Sequence, residues 1–196
     1  FINQTIDYIG AVEQLVRTAD KARREGLLSL EAQLTEMDNE FMARGLQLVI
    51  DGTDPELTRN MLEMEIEAFE KNEQVGSDIF MTMGGLAPTM GIIGTVMGLV
   101  HVLSNVNEPD KLGGAIAVAF LATLYGVASA NVLWIPFGTK LRIKAERQVL
   151  LMELILEGIL SIQAGENPRV IREKLMTFLP SELKESPAAQ EEQMRM

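Results

Sequence analysis

Two stretches of this sequence contain no Asp, Glu, Lys or Arg: Ile79 to Asn107 and Leu112 to Thr139, separated only by Glu108, Pro109, Asp110 and Lys111. Each exceeds the roughly 20 apolar residues that carry a helix across a hydrocarbon core about 30 Å thick. A helix on the surface of a soluble protein keeps a charged face toward water, and neither stretch has one. The pair therefore reads as a transmembrane helical hairpin in preference to a buried core hairpin. The fold class that follows is an all-α membrane protein whose long hairpin extends into a helical cytoplasmic domain.

Orientation follows from Lys and Arg near the membrane ends. Lys140, Arg142, Lys144 and Arg147 come directly after the second span, whereas the turn holds only Lys111. Both long flanks are therefore expected in the cytoplasm, with the turn outside. The expected parts are a helical loop domain at 1–78, a span at 79–107, an external turn at 108–111 and a span at 112–139. A cytoplasmic helical extension at 140–180 and a flexible, acidic tail at 181–196 complete the chain. Phe1 is not an initiator residue, so an upstream segment is expected to be missing.

Charge and composition exclude several functions. The net charge is −11, with 17 acidic against 7 basic residues in 1–78 and nine of each from Lys140 onward. Such a balance opposes binding to nucleic acid, whose phosphates call for a basic surface. With no cysteine there is neither a disulfide nor a thiolate metal site, and His101, the one histidine, cannot build a multi-histidine centre. No cofactor is expected. The sequence shows no paired acid and base, no nucleophile and no phosphate loop, because no Gly-Lys-Ser/Thr follows the glycines of the first span. An enzyme is not expected.

The flanks read as helices. Ile6, Ile9, Val12, Leu15, Val16, Ala19 and Ala22 recur at helical spacing from Asn3 to Glu25, and Gly26 interrupts them. A second helix is expected over Ser29 to Ile50. Asp54 as cap, Pro55 at the first helical position and Glu56 in the first turn mark the next start. Its glutamates, Glu63, Glu65, Glu67, Glu70 and Glu73, read as a solvated acidic face, and it is expected to run into the first span. Beyond Lys140 the helical pattern continues to about Ala164, Gly165 ends it, and Asn167 with Pro168 starts a short helix.

Within the spans, Gly84, Ala87, Gly91, Gly94 and Gly98 line one face of the first helix. Ala115, Ala119, Ala122, Gly126 and Ser129 do the same for the second. Small residues let membrane helices approach closely, and two such stripes are expected to need more helices than one hairpin supplies. Pro88 frees a backbone carbonyl inside the first span. Thr89, Thr95 and Thr123 bring hydroxyls to membrane depth, where each also has its own helix backbone as a partner. Trp134 and Pro136 suggest an interfacial anchor and a local distortion. Neither span holds a carboxylate, although proton and sodium relays use ionisable groups. If the chain conducts an ion, the carboxylate comes from another chain.

Several motifs carry a family resemblance. The run Ala22-Arg23-Arg24-Glu25-Gly26-Leu27-Leu28-Ser29-Leu30-Glu31 resembles the cytoplasmic-loop signature of the MotA/PomA flagellar stator subunits. Ala87 to Leu99 looks like their third transmembrane helix and Leu112 to Gly126 like the fourth. Glu157-Gly158 and Asn167-Pro168 match the segment after it. The resemblance covers about residues 10 to 180 and implies two further spans upstream, a multi-pass place in the bacterial inner membrane and a periplasmic turn at 108–111. It also implies a ring of five subunits around two copies of a MotB-like partner, whose helix supplies the ion-binding aspartate. The ring would translocate H+ or Na+ and push the rotor protein FliG.

On this resemblance Arg23 and Glu31 match charged rotor-contact positions, with Arg24 adjacent. Pro88 and Pro168 match functional prolines, and Thr95 and Thr123 fall on the ion-channel helices. Gly91, Gly94, Gly98, Ala119 and Gly126 are the expected helix-packing positions. Thr95 and Tyr125-Gly126 resemble sodium-type members, whereas Ala122 stands where that type has a third threonine, so the coupling ion stays open. Two alternatives remain: the related TolQ/ExbB type, which energises envelope processes and lacks the charged loop, and a non-conducting membrane scaffold. The prolines as helix punctuation and Arg23 and Glu31 as ordinary surface charges also remain open.

Overall fold

The computed structural model describes residues 6–35, 37–104 and 109–179, without the side chains of 109–111. Among these residues the chain forms seven α-helices: α1 Tyr8–Glu25, α2 Glu31–Leu34, α3 Glu40–Ile50, α4 Pro55–Ser104, α5 Pro109–Ser129, α6 Ile135–Gln163 and α7 Pro168–Phe178. A 3-10 turn, Leu27–Leu30, precedes α2, and a π-helical segment, Ala130–Trp134, joins α5 to α6. The all-helical class matches the sequence expectation. Of the expected turn at 108–111, only Glu108 lies outside the described residues; Pro109 to Lys111 instead form the first residues of α5, and the expected tail at 181–196 lies outside the described residues.

Local chemistry sets the helix ends. Asp7 caps α1 by accepting from the Gly10 amide at 2.8 Å, and Gly26 ends it at φ +88°, a conformation glycine adopts without strain. Asp54 accepts from the Glu56 amide at 2.9 Å in front of Pro55. Asn167 does the same for Arg169, also at 2.9 Å, in front of Pro168. One expected helix is corrected. Instead of a single helix over Ser29 to Ile50, the chain makes the 3-10 turn, the one-turn α2 and then α3, which Asn39 caps through the Met42 amide at 3.0 Å. The break lets Leu30 and the α3 face of Phe41, Met42, Leu46 and Val49 all enter one core.

The chain divides into two compact units. One holds the residues up to Glu70 together with those from Glu146 onward; the other holds Lys71–Ala145. The stretch after the second apolar run is therefore integral to the first unit, because Leu154, Ile155 and Ile159 of α6 are fully buried there with Leu15, Met42, Leu46, Leu62, Ile171 and Leu175. Burying each such side chain contributes about 1.5–3 kcal/mol. Two glycines permit close helix approach. A methyl on Gly45 would strike Ile159 and Leu62, and one on Gly158 would sit 2.6 Å from Leu15.

In the second unit, α4 pairs with α5, the π segment and the start of α6. The outer faces are apolar. Met90, Val96, Met97, Leu103, Val118, Phe120, Leu124 and Val132 are exposed, and only 11% of the most apolar stretch of either long helix is buried within the chain. A soluble core helix would be mostly buried, so these faces require lipid or other helices. Ser77 closes one end by donating to the Gly138 carbonyl at 2.8 Å, beside Phe80 stacked on Trp134 and edge-on to Phe137. The π turn ends at Trp134, just before Ile135 and Pro136, and the ring of Pro136 cannot sit against the carbonyl four residues back in a regular α-helix.

Candidate functional site

Two groups of residues carry the candidate chemistry, one in each unit. In the second unit they form the seam between α4 and α5. The small residues of the two helices face each other there. A methyl on Gly91 would lie 2.8 Å from the Ala122 carbonyl oxygen and 3.2 Å from the Gly126 Cα. One on Gly126 would lie 2.7 Å from the Ala87 carbonyl oxygen, and one on Gly98 would lie 2.7 Å from the Ala119 Cβ. The stripes therefore pack the hairpin against itself. This corrects the expectation that they require additional helices; the exposed apolar faces, not the glycines, make that requirement.

Thr95 and Thr123 meet inside the seam. The Thr95 hydroxyl lies 2.8 Å from the Ala119 carbonyl oxygen and 3.1 Å from that of Gly91, and it hydrogen-bonds with the Thr123 hydroxyl. Thr123 in turn reaches the Gly91 carbonyl at 3.4 Å. Two hydroxyls and two carbonyls thus converge as neutral, hard oxygen donors, without an ionised group. Their first effect is to tie α4 to α5, at about 0.6 kcal/mol per interhelical hydrogen bond. Pro88 lies about two turns before Thr95 along α4, where its missing N–H deprives the Gly84 carbonyl of its helical donor. Among the described residues there is no cluster of His, Cys, Asp and Glu suited to a metal ion.

In the first unit, Arg23 and Arg24 occupy the last turn of α1, and Glu31 opens α2 just after the 3-10 turn. All three are exposed. Arg24 pairs with Asp20 at 3.0 Å, whereas no described ion pair holds Arg23 or Glu31. Leu28, between them, is 74% exposed. Pro168 lies apart from Pro88, in the other unit, as the first residue of α7.

Sequence reasoning missed a bridge on this unit. Glu157 on α6 accepts from Arg59 of α4 at 3.1 Å and from Lys174 of α7 at 3.2 Å, and Lys174 also donates to Ser161 at 3.1 Å. Burial pushes the Glu157 carboxyl up, but hydrogen bonds and charges from Lys174 and Arg59 outweigh it and hold the group below its ordinary value. The available signal was a carboxylate between Leu156 and Gly158 on the most apolar stripe of α6. A partly buried charge on such a stripe needs partners.

The geometry has relatives. The model of the MotA/TolQ/ExbB proton channel family matches residues 33–154. The chain belongs to that family. The match takes in both apolar helices and the Thr95–Thr123 seam, while Arg23, Arg24, Glu31 and Pro168 lie outside it. Among curated members, the chain is 43% identical over 171 residues to Motility protein A of Borreliella burgdorferi, covering 87% of this chain and 66% of that protein. It is 44% identical over 163 residues to Motility protein A of Bacillus subtilis, covering 83% and 60%. The chain thus spans less than two thirds of the length of either relative. Its fold is similar to the flagellar MotAB stator complex from Bacillus subtilis, with a TM-score of 0.85 and 40% identity over 95% of this chain and 74% of that one.

Proposed function

We propose that the chain is the ion-channel and torque-transmitting part of a flagellar stator subunit, driven by H+ or Na+ through a channel shared with a MotB-like partner. The observation that carries this reading is the continuous likeness to the flagellar MotAB stator at 40% identity, which extends over 95% of the chain. The chemistry agrees. No carboxylate lies in either apolar run, so the titrating or ion-ligating group lies outside them, in keeping with a MotB-like dimer whose helix packs on the exposed apolar faces. Those faces also suit neighbouring copies in a ring, for which the family resemblance implies five.

In this reading both flanks are cytoplasmic and the chain sits in the bacterial inner membrane. The seam of Gly91, Gly94, Gly98, Ala119 and Gly126 makes the hairpin one rigid strut, and Thr95 and Thr123 fix its register beside the ion path. Pro88 supplies a point of bending there. Pro168, which begins α7 behind the Asn167 cap, acts as helix punctuation. Arg23, Arg24 and Glu31, exposed and clustered around the 3-10 turn, present charges to the rotor protein FliG. Charge reversal at Arg23 tests this contact. Swimming should fall while the protein stays in the membrane, and reversal at a matching rotor charge should restore it in part. Unchanged swimming in the single variant would remove Arg23 from the contact.

A further inference from the structure

A cavity of about 120 Å³ lies between the C-terminal end of α1 and the turn joining α6 to α7, walled by Ala22, Leu27 and Ile162. Its polar lining is Arg23, Gln163 and Glu166. Two acceptors on that lining lack hydrogen-bond partners although both are buried: Gln163 Oε1 and Glu166 Oε2. Their orientations are set from outside the cavity. Gln163 donates through Nε2 to the Thr53 carbonyl at 2.6 Å, a contact only the amide nitrogen can make, which commits Oε1 to the other side. The Glu166 Oε1 atom lies 4.0 Å from the Lys174 ammonium, leaving Oε2 without a donor. Buried acceptors in this state are rare in folded proteins.

The lining also holds the complementary group. A guanidinium carries five donors and no acceptor, and Arg23 has no described ion pair, in contrast to the neighbouring Arg24 on Asp20. The volume equals that of about four water molecules at ~30 Å³ each, enough for a planar guanidinium. We infer that this cavity is a seat for the Arg23 guanidinium, in which Glu166 and Gln163 are positioning residues that hold Arg23 retracted until a partner takes it. Arg23 then has two positions, extended to solvent as in this structure, or seated against the α6–α7 turn. The docking stands on the cavity alone; its consequence, an arginine withheld from the rotor when the stator is disengaged, rests on the function proposed above.

The test uses phenylglyoxal, which modifies accessible guanidinium groups, on the full-length protein in native membranes, with modification at each arginine read by mass spectrometry. Glu166→Gln should label Arg23 about tenfold faster than the unaltered protein, the factor carried by one charge-assisted hydrogen bond. Glu166→Asp should restore part of the protection, and Arg24 should label at an unchanged rate in both. Lys174→Met disturbs the other side of Glu166 and should leave Arg23 protected. An unchanged Arg23 rate in Glu166→Gln would overturn the inference, as would equal acceleration in Lys174→Met, which would signal general loosening of α7. Faster labelling without any change in swimming would keep the seat and refute the rotor role of Arg23, so the two claims fail separately.

Discussion

Glycine-to-alanine substitutions along α4 should damage the hairpin in a graded order set by what each new methyl meets. At Gly91 it would lie 2.8 Å from the Ala122 carbonyl oxygen, 3.1 Å from the Thr123 Cα and 3.2 Å from the Gly126 Cα. All three are backbone atoms, so relief requires the helices to separate. Overpacking of this kind costs about 1–3 kcal/mol, offset by up to about 1 kcal/mol from the better helix propensity of alanine. The expected net loss is about 1–2 kcal/mol. At roughly 2–4 °C per kcal/mol for a chain of this size, the apparent melting temperature should fall by about 2–8 °C. Gly98→Ala, meeting the Ala119 Cβ at 2.7 Å and its Cα at 3.2 Å, should cost somewhat less. Gly94→Ala meets only the Ala122 Cβ at 3.0 Å and should cost less again. A methyl at Gly85 meets nothing within 4 Å, so that substitution should be neutral or slightly stabilising. Thermal unfolding of the detergent-extracted protein, followed by helical circular dichroism, reads the series. A Gly85→Ala variant as unstable as Gly91→Ala would refute the assignment of the seam.

The bridge on Glu157 should be visible in acid. Its folded carboxyl lies below the ordinary value of 4.5, so its stabilisation is complete above that pH and lost as pH falls through the lower folded value; Glu157→Gln should flatten the acid limb of a stability–pH profile. A double-mutant cycle of Glu157→Gln with Lys174→Met should be non-additive, because the two groups are in contact. Tyr8, 5% exposed, donates to the Arg147 carbonyl at 2.8 Å, so Tyr8→Phe should destabilise by about 0.5–1.5 kcal/mol in the same unfolding assay. Burial raises the Tyr8 pKa above 10.0, partly opposed by the Arg147 charge. Its contribution should persist below pH 10 and fade as pH rises through the higher folded value, a dependence absent from Tyr8→Phe. Pro88→Ala, which restores a donor for the Gly84 carbonyl, should block torque while the protein still assembles; failure to assemble would make Pro88 structural.

What was legible in the sequence was what short segments decide alone. The charge-free runs declared the hairpin, and Asp54-Pro55 and Asn167-Pro168 declared two helix starts, because each is a local rule about solvation or backbone donors. The break between α2 and α3, inside the helix expected over Ser29 to Ile50, was not legible. Leu30 enters the core alongside Met42 and Leu46, and that tertiary demand overrides a helical pattern that is continuous on paper. The small-residue stripes were visible, but their partners were not; only the geometry shows Gly91 against Gly126 rather than against another chain. The Arg59–Glu157–Lys174 bridge joins residues from α4, α6 and α7, and sequence spacing contains no rule that pairs them. The helical pattern beyond Lys140 announced a packed helix without announcing that Leu154, Ile155 and Ile159 form the middle of the first unit.

The most direct test of the functional account is swimming by a stator-deleted bacterium that carries the full-length protein and its MotB-like partner, with external sodium varied at fixed pH. The account requires restored swimming, either rising with sodium or, when sodium-independent, abolished by a proton uncoupler. No swimming, with both proteins abundant in the membrane, would contradict it and favour an envelope-energising or scaffold role.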